Sequence, residues 1–154
     1  MSAPTIEPRV EPRIEHLGAR ALLLRFGDRI DPGLGAQVHA ATAAILARRP
    51  RWLVDLVPAF ASLAVHLDPA WCARPGALAH ARDWLRICMA QPLDGGAFTG
   101  QRTIEIPVHY GGEHGPDLAE LAAHAGMDEA RAIALHARAT YTVGMLGFSP
   151  GFPY

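Results

Sequence analysis

The spacing of apolar and polar residues over 14–92 predicts the element order β-β-α-β-β-α. Asp31 is typical of a helix N-cap and Pro32 of the first helical position, so an amphipathic helix is expected to begin there. Pro58 interrupts the next apolar stretch, which therefore predicts two strands rather than one. The expected bounds are strands at 14–17, 20–26, 52–57 and 62–67 and helices at 32–48 and 75–89.

That order favours a helix-backed antiparallel sheet of the split βαβ, ferredoxin-like kind in an α+β protein. Three prolines interrupt residues 1–13, which are predicted to be a flexible leader. Glycine and proline without periodicity predict a linker at 93–101. The predicted domains are therefore 14–92 and 102–154.

Residues 102–154 have a different pattern. Polar and apolar residues alternate from Thr103 to Val108, which predicts a strand ending at His109. A glycine-rich turn follows, and Gly126 is expected to separate two helices. The expected bounds are strands at 103–109 and 141–146 and helices at 116–125 and 128–137.

The charge of the chain is nearly balanced. Its 154 residues carry 14 basic and 15 acidic side chains, a formal net charge of −1. Nonspecific binding to nucleic acid or to an anionic membrane needs a clear positive excess, so neither partner is predicted. No apolar stretch approaches the roughly 20 residues of a membrane span, and the N-terminus lacks the apolar run of a secretory signal. A cytoplasmic, globular protein is expected.

Every one of the 14 basic residues is arginine. A Walker A phosphate loop, a Schiff-base enzyme and a biotin carrier each require a lysine, so these three kinds of site are excluded from the chain. Cys72 and Cys88 are sixteen positions apart without a CxxC pair, which fits neither a zinc knuckle nor a thioredoxin-like motif. Reduced cysteines and no metal site are predicted.

Two motifs in the second half match known functional patterns but fail on physical grounds. GFSPG around Ser149 matches the nucleophile elbow of hydrolases, yet the next residue, Pro150, has no N–H for an oxyanion hole. Residues 118–135 are similar to a helix-turn-helix, yet the second helix opens with Asp128 and Glu129, which would repel phosphates. Neither a serine hydrolase nor a DNA-binding protein is predicted.

Chemistry-bearing side chains concentrate at the glycine turn after the first predicted strand of 102–154. Imidazoles and carboxylates meet there in sequence, so acid–base chemistry or metal binding is conceivable. His136 lies near a predicted helix end, where it either complements the helix dipole as a cation or faces a site, and both interpretations stay open. The turn residues in this group are His109, Glu113, His114 and Asp117.

Three places in the chain form a longer and more specific signal: YGGEHGPDLAELAAHAG at 110–126, His136, and YTVGMLGFSPGFPY at 141–154. They resemble the family known as allophanate hydrolase subunit 1 or as the B subunit of 5-oxoprolinase, whose relatives include the histidine-kinase inhibitor KipI and part of the carboxyltransferase region of urea carboxylase. The resemblance implies a cyclophilin-like β-barrel from about residue 100 onward. In the family GFPY leads into further barrel strands, so the barrel is expected to be incomplete in this chain and unstable alone.

The same resemblance implies a subunit of the 5-oxoprolinase complex, which opens 5-oxoproline to glutamate while hydrolysing ATP. ATP is then the implied cofactor, and the A and C subunits and a small-molecule substrate are the implied partners. Without lysine, phosphate contacts would come from arginines and from backbone N–H groups at the glycine turn. The candidate catalytic residues are Glu113, His114, Asp117 and His136, with Glu113 or His114 for proton transfer. The candidate ligand-binding residues are Tyr110, Gly111, Gly112, Phe148, Gly151 and Phe152.

Two other functions stay open. A biotin-dependent carboxyltransferase or allophanate hydrolase subunit would use the same fold to hold carboxybiotin, with the biotinylated lysine on another chain. A KipI-like binding module would bind a histidine kinase and need no chemistry, so substitution of Glu113 or His136 would not matter. The residue chemistry does not select 5-oxoproline over urea or allophanate.

Overall fold

A computed structural model divides the chain into two units. The first comprises Met1–Thr99 together with Val143–Tyr154, and the second comprises Gly100–Thr142. The described residues are 10–92, 103–147, 149 and 151–154. The predicted linker at 93–101 lies outside them, as does most of the predicted leader, and the domain division at that linker stays a prediction.

The first unit contains a ββαββ segment followed by two helices. Its elements are β1 (Arg13–His16), β2 (Ala21–Arg25), α1 (Pro32–Arg48), β3 (Leu53–Pro58), β4 (Ser62–Leu67), α2 (Pro69–Cys72) and α3 (Ala77–Ala90). The strands form one antiparallel sheet in the order β1-β2-β4-β3. Because β2 and β3 both run antiparallel to β4 between them, they are parallel to each other and are joined through α1. The α+β class predicted from the sequence is confirmed.

The predicted bounds agree closely with these elements, and β4 and α1 agree to the residue. Helix α3 begins at Ala77, two residues later than predicted, because Gly76 before it adopts a left-handed φ of 75°. The short helix α2 was not predicted. Asp68 caps it, since its carboxylate accepts a hydrogen bond from the amide of Trp71 at 2.7 Å.

A continuous hydrophobic core lies between the sheet and helices α1 and α3. Alternate residues of β2 and β4 are fully buried, as expected when one face of a sheet is covered. The apolar stripe of α1 is buried along its whole length, and Leu85 anchors α3 with no exposed surface. The fully or almost fully buried residues of these four elements include Leu22, Leu24, Leu34, Val38, Ala41, Ile45, Leu63, Val65, Ala81 and Leu85.

An aromatic cluster closes one end of this core. Trp52 is buried, its ring stacks on that of Trp71 with centroids 5.5 Å apart, and it meets the edge of Trp84 at 5.4 Å. His80 reaches the ring of Trp71 from outside, with centroids 5.9 Å apart. These three are all the tryptophans in the chain, so every indole ring lies in the first unit.

Asp31 caps α1 as predicted. Its carboxylate accepts hydrogen bonds from the amides of Leu34 at 3.2 Å and Gly33 at 2.8 Å. The bond from Leu34, then that from Gly33 and the charge of Arg29, lower the pKa of this carboxyl, against a smaller opposing effect of desolvation.

Replacing Asp31 by alanine is expected to lower the urea midpoint of unfolding at pH 7, because the cap is lost. A depressed pKa contributes stability above the unfolded-state value of about 3.9 and loses it as the pH falls through the folded value. The difference between wild type and Asp31→Ala should therefore shrink at and below about pH 4 when measured by circular dichroism. Asp28→Ala, outside the cap, is the control, and a difference that persists unchanged into acid would contradict the assignment.

The second unit holds a 3₁₀ turn and two helices, α4 (Leu118–His124) and α5 (Glu129–Arg138). Gly126, with a left-handed φ of 67°, ends α4, and the amide of Met127 donates back to the carbonyl of Ala122 at 3.0 Å. Asp128 caps α5 by accepting from the amide of Arg131 at 2.7 Å. The predicted pair of helices separated by Gly126 is confirmed.

Three predicted elements of 102–154 were wrong. Residues 103–109 are not in a strand, and Ile104 and Ile106 are 60% and 74% exposed, because no neighbouring strand pairs with them among the described residues. The strand at 141–146 is reduced to β5 (Leu146–Gly147), which pairs with β6 (Phe152–Pro153). The helix expected at 116–125 begins at Leu118, because the chain turns through Gly115 first.

Helices long and apolar enough to cross a bilayer were sought in the described part of the chain, and it contains none.

Candidate functional site

A turn built on glycines presents the candidate residues of the second unit. Gly111 and Gly112 both have positive φ, 73° and 58°, a conformation that other residues adopt only with strain. The amide of Gly115 donates to the carbonyl of Gly111 at 3.1 Å, and a Cβ on Gly115 would lie 2.9 Å from the nitrogen of Gly111. The turn therefore needs glycine at all three places, as the sequence predicted for tight turning.

Glu113 and His114 lie in the 3₁₀ turn Gly112–His114 inside this glycine frame. His114 Nε2 is 3.5 Å from Glu113 Oε1, and the side chains are 62% and 88% exposed. The ring of His109 meets that of His114 edge to face, with centroids 5.0 Å apart. A carboxylate and two imidazoles are therefore adjacent and open to solvent, which suits proton exchange with a small molecule.

His136 and Tyr110 contact each other although they are 26 residues apart. The phenol oxygen of Tyr110 is 2.5 Å from Nδ1 of His136, and the rings meet nearly at right angles. His136 lies in the last turn of α5 and its side chain is exposed. The structure thus joins one candidate catalytic residue to one candidate ligand-binding residue.

Tyr141 is a member of this cluster that sequence reasoning missed. Its ring lies 5.4 Å from that of His136, and its hydroxyl donates to the backbone carbonyl of His136 at 3.4 Å. The signal was available, because Tyr141 opens the third of the stretches that carried the family resemblance.

The other candidates are placed apart from these two clusters. Asp117 is the N-cap residue of α4, yet its side chain makes no capping hydrogen bond. Gly151, with φ 85°, and Phe152 lie in the hairpin of β5 and β6, which belongs to the first unit. Phe152 contacts Tyr154, with ring centroids 4.9 Å apart. Phe148 lies outside the described residues.

Negative charge dominates the described residues 103–147. Six carboxylates face only two guanidinium groups in this range: Glu105, Glu113, Asp117, Glu120, Asp128 and Glu129 against Arg131 and Arg138. Among the described residues no three His, Cys, Asp or Glu side chains are arranged to hold a metal ion. The chemistry that these side chains offer is proton transfer and hydrogen bonding to a polar ligand.

The two clefts found in the described residues both lie in the first unit. One, of about 400 Å³, lies between the strand β1 and the C-terminal half of α3 and is lined by residues such as Arg13 and Arg86. The other, of about 190 Å³, lies beside β3 and includes Arg49 and Asp55. Neither includes a candidate residue, so the candidate residues form an open surface within the part of the chain that the structure describes.

The sequence matches the family described as carboxyltransferase domain, subdomain C and D, over residues 12–154. The chain belongs to this family. Among its carboxyltransferase-domain relatives, the protein named as the B subunit of 5-oxoprolinase in Bacillus subtilis (strain 168) is 35% identical over 147 residues, which cover 92% of this chain and 61% of the relative. The protein of the same name in Escherichia coli O157:H7 is 58% identical over 53 residues, 34% of this chain and 24% of the relative.

Two solved structures are also similar to this carboxyltransferase-domain chain. The crystal structure of TTHA0988 matches with a TM-score of 0.65 and 35% identity, covering 87% of this chain and 24% of that one. The N-terminal domain of the histidine kinase inhibitor KipI from Bacillus subtilis is 30% identical, with a TM-score of 0.41, over 55% of this chain and 89% of that one. The chain spans about three fifths of the Bacillus subtilis 5-oxoprolinase protein and a quarter of TTHA0988.

Proposed function

We propose that this chain is part of a subunit of a 5-oxoprolinase, which opens the lactam of 5-oxoproline to glutamate in a complex with A and C subunits. The observation that carries the proposal is the 35% identity, over 92% of the chain, to a protein named as the B subunit of 5-oxoprolinase. Since the chain spans only 61% of that relative, the activity, the substrate and the partners all belong to the proposal. The proposed location is the cytoplasm.

The adjacent Glu113 and His114 suit the chemistry of lactam hydrolysis. An amide is stabilised by resonance, so its opening needs a group that takes a proton from the attacking water and a group that gives a proton to the leaving nitrogen. Glu113 as carboxylate can take the first proton, and protonated His114, 3.5 Å away, can give the second. Each returns to its starting state by passing one proton between them or with water.

ATP fits the glycine turn poorly. Triphosphate sites use cationic side chains and backbone N–H groups, whereas this turn contains Glu113 and Asp117 and no arginine. The excess of carboxylates over guanidinium groups at 103–147 would repel phosphate as well. We therefore place the phosphate contacts of ATP mainly on the partner subunits and route no step of this chain's chemistry through the nucleotide.

Two finer descriptions of the fold belong to the same proposal. The order of the first sheet, with β2 and β3 parallel on either side of β4, supports a ferredoxin-like arrangement. For 102–154 we propose the beginning of a cyclophilin-like barrel. The exposed, alternating side chains of Ile104, Ile106 and Val108 support it, because such a pattern is buried only when further strands pair with it.

The test is release of ADP with and without 5-oxoproline, using this chain, and in parallel a version extended past Tyr154 to the family's full length, mixed with the A and C subunits. Turnover that depends on both 5-oxoproline and the extended chain is expected, and omission of this subunit is the control. If turnover is absent or does not depend on this subunit, the proposal is wrong, and binding to a histidine kinase or carboxyl transfer to biotin is tested next.

A further inference from the structure

The contact between Tyr110 and His136 fixes more than the position of two rings. Nδ1 of His136 lies 2.5 Å from the phenol oxygen, which is hydrogen-bonding distance for one shared proton. Among the described residues Nε2 of His136 has no hydrogen-bond partner, and the side chain is exposed. One ring nitrogen is therefore occupied and the other is free to meet a ligand.

The direction of this hydrogen bond follows from the chemistry of the two groups. A phenol O–H is a stronger acid, and so a stronger donor, than the N–H of neutral imidazole, and an imidazole nitrogen is a better acceptor than a phenol oxygen. Tyr110 therefore donates to Nδ1. In neutral imidazole only one nitrogen carries the proton, and the partner of the other nitrogen decides which one it is.

We propose that Tyr110 holds His136 in the tautomer that carries its proton on Nε2, and that this N–H donates to an acceptor oxygen of the ligand. His136 then acts as a hydrogen-bond donor rather than as a general base. For the proposed substrate the acceptor is a carbonyl or carboxylate oxygen of the lactam, and in this respect the inference rests on the proposed function. The tautomer itself does not.

Tyr141 completes the arrangement as a positioning residue. Its hydroxyl donates to the backbone carbonyl of His136 at 3.4 Å, and its ring lies against the imidazole with centroids 5.4 Å apart. It thus restrains the ring without contacting either ring nitrogen. This separation supplies a matched pair of variants, since Tyr110→Phe removes the hydrogen bond to Nδ1 and Tyr141→Phe removes only the bond to the backbone.

The first test is the tautomer in solution, measured on the full chain labelled with ¹⁵N-histidine by long-range proton–nitrogen correlation at about pH 9, where histidine side chains are neutral. The His136 signals are assigned from a His136→Gln variant. We expect Nδ1 unprotonated and Nε2 protonated in the wild type and in Tyr141→Phe, and a mixture of tautomers in Tyr110→Phe. A wild-type His136 with its proton on Nδ1 overturns the proposal, even if Tyr110→Phe fails to fold.

The second test separates a donor from a base in the assembled enzyme. Glutamine places an amide N–H close to the position of Nε2 but cannot accept a proton there, and leucine offers neither. We expect His136→Leu to lose about a hundredfold in kcat, as for loss of one donor to a developing oxyanion, and His136→Gln to recover most of that loss. Equal inactivity of the two variants overturns the donor role. If the tautomer holds while no 5-oxoproline turnover exists, the proposed function fails and the inference about His136 stands.

Discussion

Replacing Glu113 by glutamine is expected to reduce 5-oxoproline-dependent ADP release by the assembled enzyme about a hundredfold or more. The substitution keeps the size and shape of the side chain but removes the carboxylate that takes up a proton, and such groups typically contribute a factor of about 10² to 10⁴. Because Glu113 is 88% exposed and bonded only through its contact with His114, the fold should be unaffected. The measurement is kcat at saturating 5-oxoproline.

Glu120→Gln is the matched control for this prediction. Glu120 is an exposed carboxylate in the first turn of α4, seven positions further along the same acidic segment. Its substitution changes the net charge by the same amount without touching the glycine turn. Equal losses in Glu113→Gln and Glu120→Gln would show that only the overall negative charge matters, and full activity of Glu113→Gln would remove this residue from the mechanism.

A second large effect is expected from Leu85→Ala in the core of the first unit. Leu85 has no exposed surface and lies where α3 packs on the sheet, so its truncation leaves a cavity. Substitutions of this kind lower the free energy of unfolding by about 2–5 kcal/mol. Urea unfolding followed by circular dichroism at 222 nm measures the change.

The same helix provides the control. Ile87 lies two residues further along α3 and is 66% exposed, so Ile87→Ala should change the free energy of unfolding by no more than about 0.5 kcal/mol. If both variants were equally destabilised, the helix would be packed by a different face from the one described.

The elements that the sequence predicted well are those whose signals are local. The cap at Asp31 and the stripe Leu34, Val38, Ala41 and Ile45 lie within one helix, so spacing alone fixes the face that is buried. The buried alternation of β4 is similarly contained in six residues. The turn at Gly126 needed only a glycine at the right distance from Asp128.

The strand expected at 103–109 failed for the opposite reason. Alternation tells which side chains share a face, but a strand exists only when another segment pairs with its backbone, and that segment lies elsewhere in the chain or outside it. The contact of Tyr110 with His136 shows the same limit. Both residues were selected from the sequence, yet no spacing rule relates two side chains 26 positions apart in a turn and at the end of a helix.

Placement of every indole ring in one unit separates the two units optically. Trp52, Trp71 and Trp84 form one cluster at the end of the sheet's core, while the residues at 103–142 absorb and emit only through Tyr110 and Tyr141. Emission excited at 295 nm therefore reports the folding of the sheet alone. The order in which the two halves of this chain melt can be read from intrinsic fluorescence without any added label.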